Sequence, residues 1–331
     1  MILTRTPLRV SFAGGGTDLP AYYGKGESGA VTSAAIGSYI YVTLGKHWDQ
    51  ERIRLSYSLT EDVDEIDDLH HELVRESIQF VGSGRGVEIS SIAQIPGKGT
   101  GLGSSSTYTV GILHALASYM GMKPSPAWLA QAACTVELTR LKHPGGKQDQ
   151  FAAAYGGVNH MTFNPQGVVT VSRIDIPRHL LRRMDRSLPL YYTNLTRRSK
   201  RILVKTAKRL KEIDHIKGDA KAMVGLAAQA REALVDGRLP DLGEIMHEGW
   251  ERKRRITKES TKSELDELYE KAIKAGAIGG KLCGAGGGGF FVFYVPENKL
   301  EKVDAALNLR RIHVEYGVSG SQVVYRDNPN F

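Results

Sequence analysis

The sequence predicts an α+β protein of two lobes that share a cleft, and three observations carry that expectation. Its 331 residues exceed the roughly 250–300 at which a single hydrophobic core stops growing. Alternating and β-branched stretches dominate the first part of the chain, whereas helical periodicity takes over in the middle. A further apolar strand, FFVFYV from Phe290, lies between an amphipathic helix and the chain end, which supplies a second sheet with a βαβ-like element.

In chain order, residues 8–13, 30–36, 39–45, 52–57 and 87–95 read as strands separated by Gly- and Asp-rich turns. An imperfect helical stripe at 68–80 interrupts them. After Pro96 comes PGKGTGLGSSS, and Val110, Leu113, Leu116, Ala117 and Met120 then recur at helical spacing, so a loop feeds a helix. A second helix over 125–141 stacks Leu129, Ala133 and Glu137 in one i, i+4, i+8 row and breaks at His143-Pro144-Gly145-Gly146. A short helix from about Asp149 ends at Gly156-Gly157, and strands at 158–163 and 168–174 close the first lobe. The second lobe opens on a strand at 188–193 and continues through charged helices to Gly249. Leu265, Leu268, Tyr269, Ala272 and Ile273 mark an amphipathic helix stopped by Gly276. The glycine-rich GGKLCGAGGGG precedes the Phe290 strand, followed by a helix at 300–307 and strands near 312–316 and 322–325. A boundary near residue 180 divides domains 1–180 and 181–331.

Hydrophobic residues make up 41% and charged residues 24% of the chain, a globular composition, and no apolar run approaches the ~18 residues of a membrane span. The first residues lack the order of a signal peptide, which predicts a cytoplasmic protein without a membrane partner. Cys134 and Cys283 are the two cysteines and fit neither a disulfide framework nor a zinc site. The net charge of +8 favours anionic partners. Much of it lies in Arg197, Arg198, Lys200 and Arg201 and in Arg252–Arg255, which read either as solvated helix faces or as phosphate contacts. No aromatic residues interleave these runs, which argues against nucleic acid.

Small residues directly ahead of a helix expose converging N–H groups at the positive end of the helix dipole and make an anion site. Gly99, Gly101 and Gly103 let a phosphate approach the backbone, and Ser104, Ser105 and Ser106 add hydroxyls for phosphate or magnesium. GxxxxGK[ST] is absent, as are HRDLxxxN and DFG, so the sequence is neither a P-loop enzyme nor a protein kinase. GAGGGG at 284–289 matches GxGxxG, but a strand follows it where a dinucleotide fold requires a helix. It reads instead as a second glycine turn against the nucleotide or the transferred phosphate. Glu137 points to the buried side of its helix and needs a cation, either magnesium or Arg140 at i+3. Asp149 stands at a helix start beside Lys147, and both favour its ionised form, a state suited to positioning and charge neutralisation. It serves equally well as an N-cap.

In this order, TPLRVSFAGGGTDLP at 4–20, IPGKGTGLGSSSTYTVG at 95–111 and GGKLCGAGGGGFFVFY at 279–294 resemble the GHMP kinases. RVSFAGGGTDLP and GGKQDQFAAAYGG are most similar to the branch that phosphorylates the anomeric hydroxyl of sugars. The resemblance implies a ribosomal-protein-like N-terminal α/β domain and a ferredoxin-like C-terminal α+β domain with the active site between them. It implies ATP and Mg2+ as cofactors and a sugar or sugar phosphate as acceptor, a heptose 7-phosphate above others, with fucose or a silent sugar-binding regulator as alternatives. A homodimer is compatible with it. Asp149 would contact the attacking hydroxyl, and Arg9 would sit near the attacking oxygen. Ser105 and Glu137 would hold Mg2+. Gly97, Lys98, Gly99, Thr100, Gly101, Leu102, Gly103, Ser104, Ser105 and Ser106 would cradle the triphosphate. Gly15, Gly16, Thr17 and Asp18 would face the sugar, together with Gly286 and Gly287. Separately from the resemblance, the positive charge of Arg198, Lys200, Lys253 and Lys281, which lie in or beside the basic or glycine-rich segments, makes them candidates to receive a phosphate already on the acceptor. Galactokinases carry Glu-His where this chain has Gly15 and Gly16, which points away from galactose and toward a bulkier sugar.

Overall fold

The computed structural model describes residues 1–96, 99–195, 199–212, 214–257 and 263–327. Gly97, Lys98 and Arg198 lie outside the described residues, and Lys200 is described only as part of a helix. The larger sheet begins with β1 (Ile2–Ala13), β2 (Gly29–Lys46), β3 (Ile53–Ser56), β4 (Thr60–Val63), β5 (Val87–Ala93), β6 (Val158–Phe163) and β7 (Val169–Arg173). The second sheet contains β8 (Leu190–Tyr192), β9 (Gly279–Leu282), β10 (Phe290–Tyr294) and β11 (Arg310–Ile312) in the order β11-β8-β10-β9. A last strand, β12 (Gln322–Arg326), leaves that sheet and pairs antiparallel with β1. The larger sheet therefore runs β12-β1-β2-β5-β3-β4, with β6 also on β2 and β7 on β6.

The helices are α1 (Pro20–Tyr23), α2 (Glu72–Val81), α3 (Ser104–Tyr119), α4 (Pro126–Cys134), α5 (Gln148–Tyr155) and α6 (Arg178–Ser187) in the first part. Then come α7 (Ser199–Glu212), α8 (Asp214–Val235), α9 (Leu239–Thr257), α10 (Ser263–Ala275) and α11 (Leu300–Leu307).

The strands predicted at 30–36 and 39–45 are one strand. β2 passes Gly37-Ser38 as a bulge, because Pro7 pairs with Tyr39 while Leu8 pairs with Ile36. This length lets β2 pair with β6 through Gly29–Ala34 and with β5 through Ile40–Lys46. The strand predicted at 312–316 is β11, which spans Arg310–Ile312 and stops there; the Tyr316 N–H instead donates to Asp185 Oδ1 (2.8 Å), and Tyr316 forms an isolated bridge with Ile36. Gly279 and Gly280, read as part of a loop, belong to β9. A Cβ at either would lie 2.1 Å from the Gly243 carbonyl or 2.3 Å from the Phe293 ring, so glycine here serves close packing.

Two cores result. In the first, α3 is buried along nearly its whole length between the larger sheet and its neighbouring helices. In the second, Tyr191, Trp250, Tyr269, Phe291 and Phe293 pack ring against ring with centroids 5.2–6.1 Å apart. Helix α8 covers β1 and β2, and Thr32 donates to the Ala227 carbonyl at 2.6 Å. The second half of the chain thus seals the first sheet and leaves the cleft between α7–α9 and the glycine loop. Both cysteines are free and buried. No described helix is long and apolar enough to cross a membrane.

Candidate active site

The glycine loop enters α3 with Gly99, Gly101 and Gly103 at φ of 75°, 75° and 78°. Such left-handed residues at alternate positions turn successive N–H groups toward one side, an anion-binding backbone. Gly103 is the helix N-cap. The three serines divide the work. Ser104 shares a 3.0 Å hydrogen bond with Thr100, and Ser106 donates to Glu137 at 2.8 Å. Only the Ser105 hydroxyl, exposed on the open side, has no hydrogen-bond partner among the described residues.

The second glycine string braces this loop from behind. A Cβ on Gly101 would stand 2.3 Å from the Cys283 carbonyl, one on Gly284 2.4 Å from the Gly101 Cα, and one on Gly289 2.3 Å from the Thr100 carbonyl. The Phe290 N–H donates to that Thr100 carbonyl at 3.2 Å. Gly284 and Ala285 reach the cleft, whereas Gly286 and Gly287 are not among the residues that line it.

In front of the loop lies a cavity of about 1130 Å³. Arg9, on β1, is buried at its floor. Its guanidinium donates to the Gly101 carbonyl at 2.7 Å and twice to Asp149 Oδ1, at 2.8 and 2.6 Å, while its own N–H bonds Leu102 O. One side chain therefore ties the loop to the aspartate. Asp149 lies in the first turn of α5, whose N-cap is Lys147. The capping alternative gives way to the ion pair, and Lys147, expected to favour the charge, donates to Gly167 O at 2.5 Å instead. Both guanidinium contacts fall on Oδ1, which leaves Oδ2 for a hydroxyl in the cavity.

Glu137 has a different environment. The regular helix α4 stops at Cys134 and continues as a widened π turn over Thr135–Arg140 that carries Glu137, 5% exposed, toward the loop. Ser106 and Gln150 donate to Oε2 at 2.8 and 2.9 Å, and Oε1 is buried without a hydrogen-bond partner. Burial pushes its carboxyl up to about 7. The Arg140 alternative fails, because Arg140 reaches Glu76 at 3.8 Å and stacks on Phe80. A buried carboxylate oxygen with no cation beside it, next to a phosphate-type loop, fits a hard divalent ion that keeps water and phosphate as its other ligands.

Gly15, Gly16, Thr17 and Asp18 line the same cavity. Thr17 turns its hydroxyl to the Gly14 and Ala30 carbonyls (2.8 and 2.9 Å), so it shapes the turn. Asp18 accepts from the Gly16 and Gln148 amides (3.1 and 3.3 Å); burial, then the charge of Asp149, raises its carboxyl above the usual range. Leu102 is fully buried in the core. Lys253 lines the cavity and donates to Gly284 O; burial lowers its ammonium to about 8. Lys281 is not a lining residue. It crosses from the second sheet to β1, donating to Ser11 O (2.7 Å) and Oγ (3.2 Å), and burial lowers it to about 7. The rest of the second basic run is neutralised: Arg252 and Arg255 pair with Asp219, and Arg254 pairs with Glu251.

Sequence reasoning missed three groups. Gln150 escaped because its role depends on a carboxylate thirteen residues away in another helix. Tyr57, His70 and His71 form an aromatic end of the cavity, with Tyr57 and His71 4.8 Å apart edge to face. Arg201, Leu203, Thr206 and Leu210 of α7 also line the cavity, with Met223 and Ile256. The basic run did flag the neighbourhood of Arg201.

Residues 69–157 match the GHMP kinases N terminal domain, and residues 230–311 match the GHMP kinases C terminal domain. The chain is 32% identical over 334 residues to a D-glycero-alpha-D-manno-heptose 7-phosphate kinase of Campylobacter jejuni, covering 95% of each sequence. Its fold matches the crystal structure of a D-glycero-D-manno-heptose 1-phosphate kinase from Bacteroides thetaiotaomicron with a TM-score of 0.78 at 25% identity, covering 98% of this chain and 100% of that one. Lactococcus lactis galactokinase, at 20% identity and the same TM-score over 98% and 95% of the two chains, shares the fold. Sequence, lobe arrangement and the loop braced at the cleft thus converge: the chain belongs to the GHMP kinases, ATP-dependent phosphotransferases.

Proposed function

We propose that this chain transfers the γ-phosphoryl group of ATP to the anomeric hydroxyl of D-glycero-D-manno-heptose 7-phosphate, with Mg2+ as the accompanying ion. The observation that carries the reading is the Arg9 guanidinium, which holds the phosphate loop through Gly101 and the carboxylate of Asp149 at once. A terminal phosphate over the loop and a hydroxyl on Asp149 Oδ2 then face each other across one side chain. The name of the Campylobacter relative and the two glycines at 15 and 16, which leave room beside Asp18, support the choice of acceptor.

In the transfer, the anomeric oxygen forms a bond to the γ-phosphorus while the bond from that phosphorus to the β,γ-bridging oxygen breaks, its electron pair leaving on ADP. Asp149 orients the hydroxyl and accepts its proton. Arg9 is a fixed positive charge beside the transferring group, and the loop amides meet the phosphate oxygens. Glu137 and Ser105 would hold magnesium, which neutralises phosphate charge when bound. The base of the nucleotide takes the aromatic end at Tyr57 and His71, and the sugar takes the side of Asp18 and α7.

The test is one panel of ATP with heptose 7-phosphate, mannose, fucose, galactose, homoserine and mevalonate, with products read by phosphorus NMR. Heptose 7-phosphate should be consumed fastest, giving a second phosphate resonance at the anomeric carbon. Preferred turnover of homoserine or mevalonate would overturn the reading.

A further inference from the structure

Among the cationic side chains of the cavity, nearly all are engaged. Arg9 holds Asp149 and Gly101, Lys253 donates to Gly284 O, His143 stands 2.8 Å from Glu72, and His70 is 3.6 Å from Glu61. Arg201 differs. It lines the cavity from the first turn of α7, is exposed, and has no ion pair or hydrogen bond among the described residues. On the same helix Thr206 is only 7% exposed and lines the same wall, and its hydroxyl likewise has no hydrogen-bond partner among the described residues. A hydroxyl with no protein partner that lines the cavity is open to a hydrogen bond from a ligand. The surroundings are Leu203, Leu210, Met223 and Ile256, an apolar wall that strengthens a charge contact made against it.

The location gives the pair a task. Helix α7 packs on α1, which follows Asp18, and on α9, which carries Lys253. Tyr57 and His71 pack instead with Tyr108 of α3. On the proposed function, α7 therefore stands beside the segment that would face the sugar.

We propose that Arg201 and Thr206 receive the phosphate that the acceptor sugar already carries, Arg201 through its planar guanidinium and Thr206 through its hydroxyl. The inference rests on the acceptor assignment above and replaces Lys281, which is buried behind β1, as the phosphate contact. It makes the α7 wall the element that distinguishes a phosphorylated acceptor from a plain sugar.

The experiment measures kcat/KM for heptose 7-phosphate and for the unphosphorylated heptose with wild type, Arg201→Gln, Arg201→Lys and Thr206→Val. A parallel thermal-shift series without ATP uses heptose 7-phosphate, mannose 6-phosphate and inorganic phosphate. Arg201→Gln should lower the ratio of the two efficiencies by about 10- to 100-fold, the loss of a charge-assisted contact. Arg201→Lys should recover part of it, and Thr206→Val should lower it a few-fold. Equal losses on both acceptors, or none, would overturn the inference and leave the sugar kinase assignment standing. If wild type turns over no heptose 7-phosphate but a sugar phosphate raises its Tm and Arg201→Gln abolishes that rise, the acceptor is wrong and the subsite stands. No Tm rise with any phosphorylated ligand, together with no turnover of heptose 7-phosphate, would remove both.

Discussion

Asp149 and Glu137 are two acids in one cavity, and they are treated in opposite ways. Asp149 is given a fixed cation: Arg9 contacts it at 2.6 and 2.8 Å and anchors it to the loop. Glu137 is denied one, since its donors are the neutral Ser106 and Gln150 and one oxygen has no partner. The difference teaches that a permanent partner makes a carboxylate a positioned acceptor for a hydroxyl. On the proposed function, a carboxylate left to burial would be completed by the magnesium ion that accompanies ATP.

The sharpest way to break that comparison is at Asp149. Asp149→Asn keeps the shape but loses the acceptor charge, and kcat should fall by about 10²- to 10⁴-fold with the fold intact by circular dichroism. Near wild-type turnover would remove Asp149 from the chemistry.

The second way uses pH. Burial pushes the Glu137 carboxyl up to about 7, above its value in the unfolded chain. Between roughly pH 4.5 and 7 the folded state therefore holds a proton that the unfolded state has released, and stability falls as pH rises through that window. Denaturant titrations of wild type and Glu137→Gln should diverge across it by up to about 3 kcal/mol, wild type losing more. Parallel curves would mean that the carboxylate is already compensated.

A third effect is smaller. The magnesium titration of activity in Glu137→Gln should shift to about 10-fold higher concentration or more, and an unchanged midpoint would place the ion elsewhere. The smallest concerns Ser106→Ala, which removes one donor from Oε2 and should shift the same midpoint only a few-fold. A shift as large as that of Glu137→Gln would make the Ser106 hydroxyl itself a ligand.

Much of this site was legible in the sequence, for definite reasons. The glycine-serine string before a helical stripe is local, so its anion-binding character could be read directly. The burial of Glu137 followed from its row with Leu129 and Ala133. The π turn that aims it was not visible, because nothing in TVELTR marks a change of helix type and packing against the loop decides it. The partner of Asp149 lay 140 residues away, and only the family resemblance brought Arg9 near it. The Cβ-free backbone crossing of Gly101 and Gly284 was hidden for the same reason: each string looks like a loop until the other is in place. The expectation of two strands at 30–36 and 39–45 came from reading Gly37 as a turn, whereas Gly37 is a bulge residue within β2 with Glu315 packed 3.3 Å from its missing Cβ.

β12 brings residues 322–326 back to pair with the strand that starts at Ile2. During synthesis, then, the sheet beneath the phosphate loop stays open along β1 through the emergence of some three hundred residues, and the second lobe can assemble before that edge is covered. A change that disturbs residues 322–326 would therefore uncover the edge of the strand that carries Arg9.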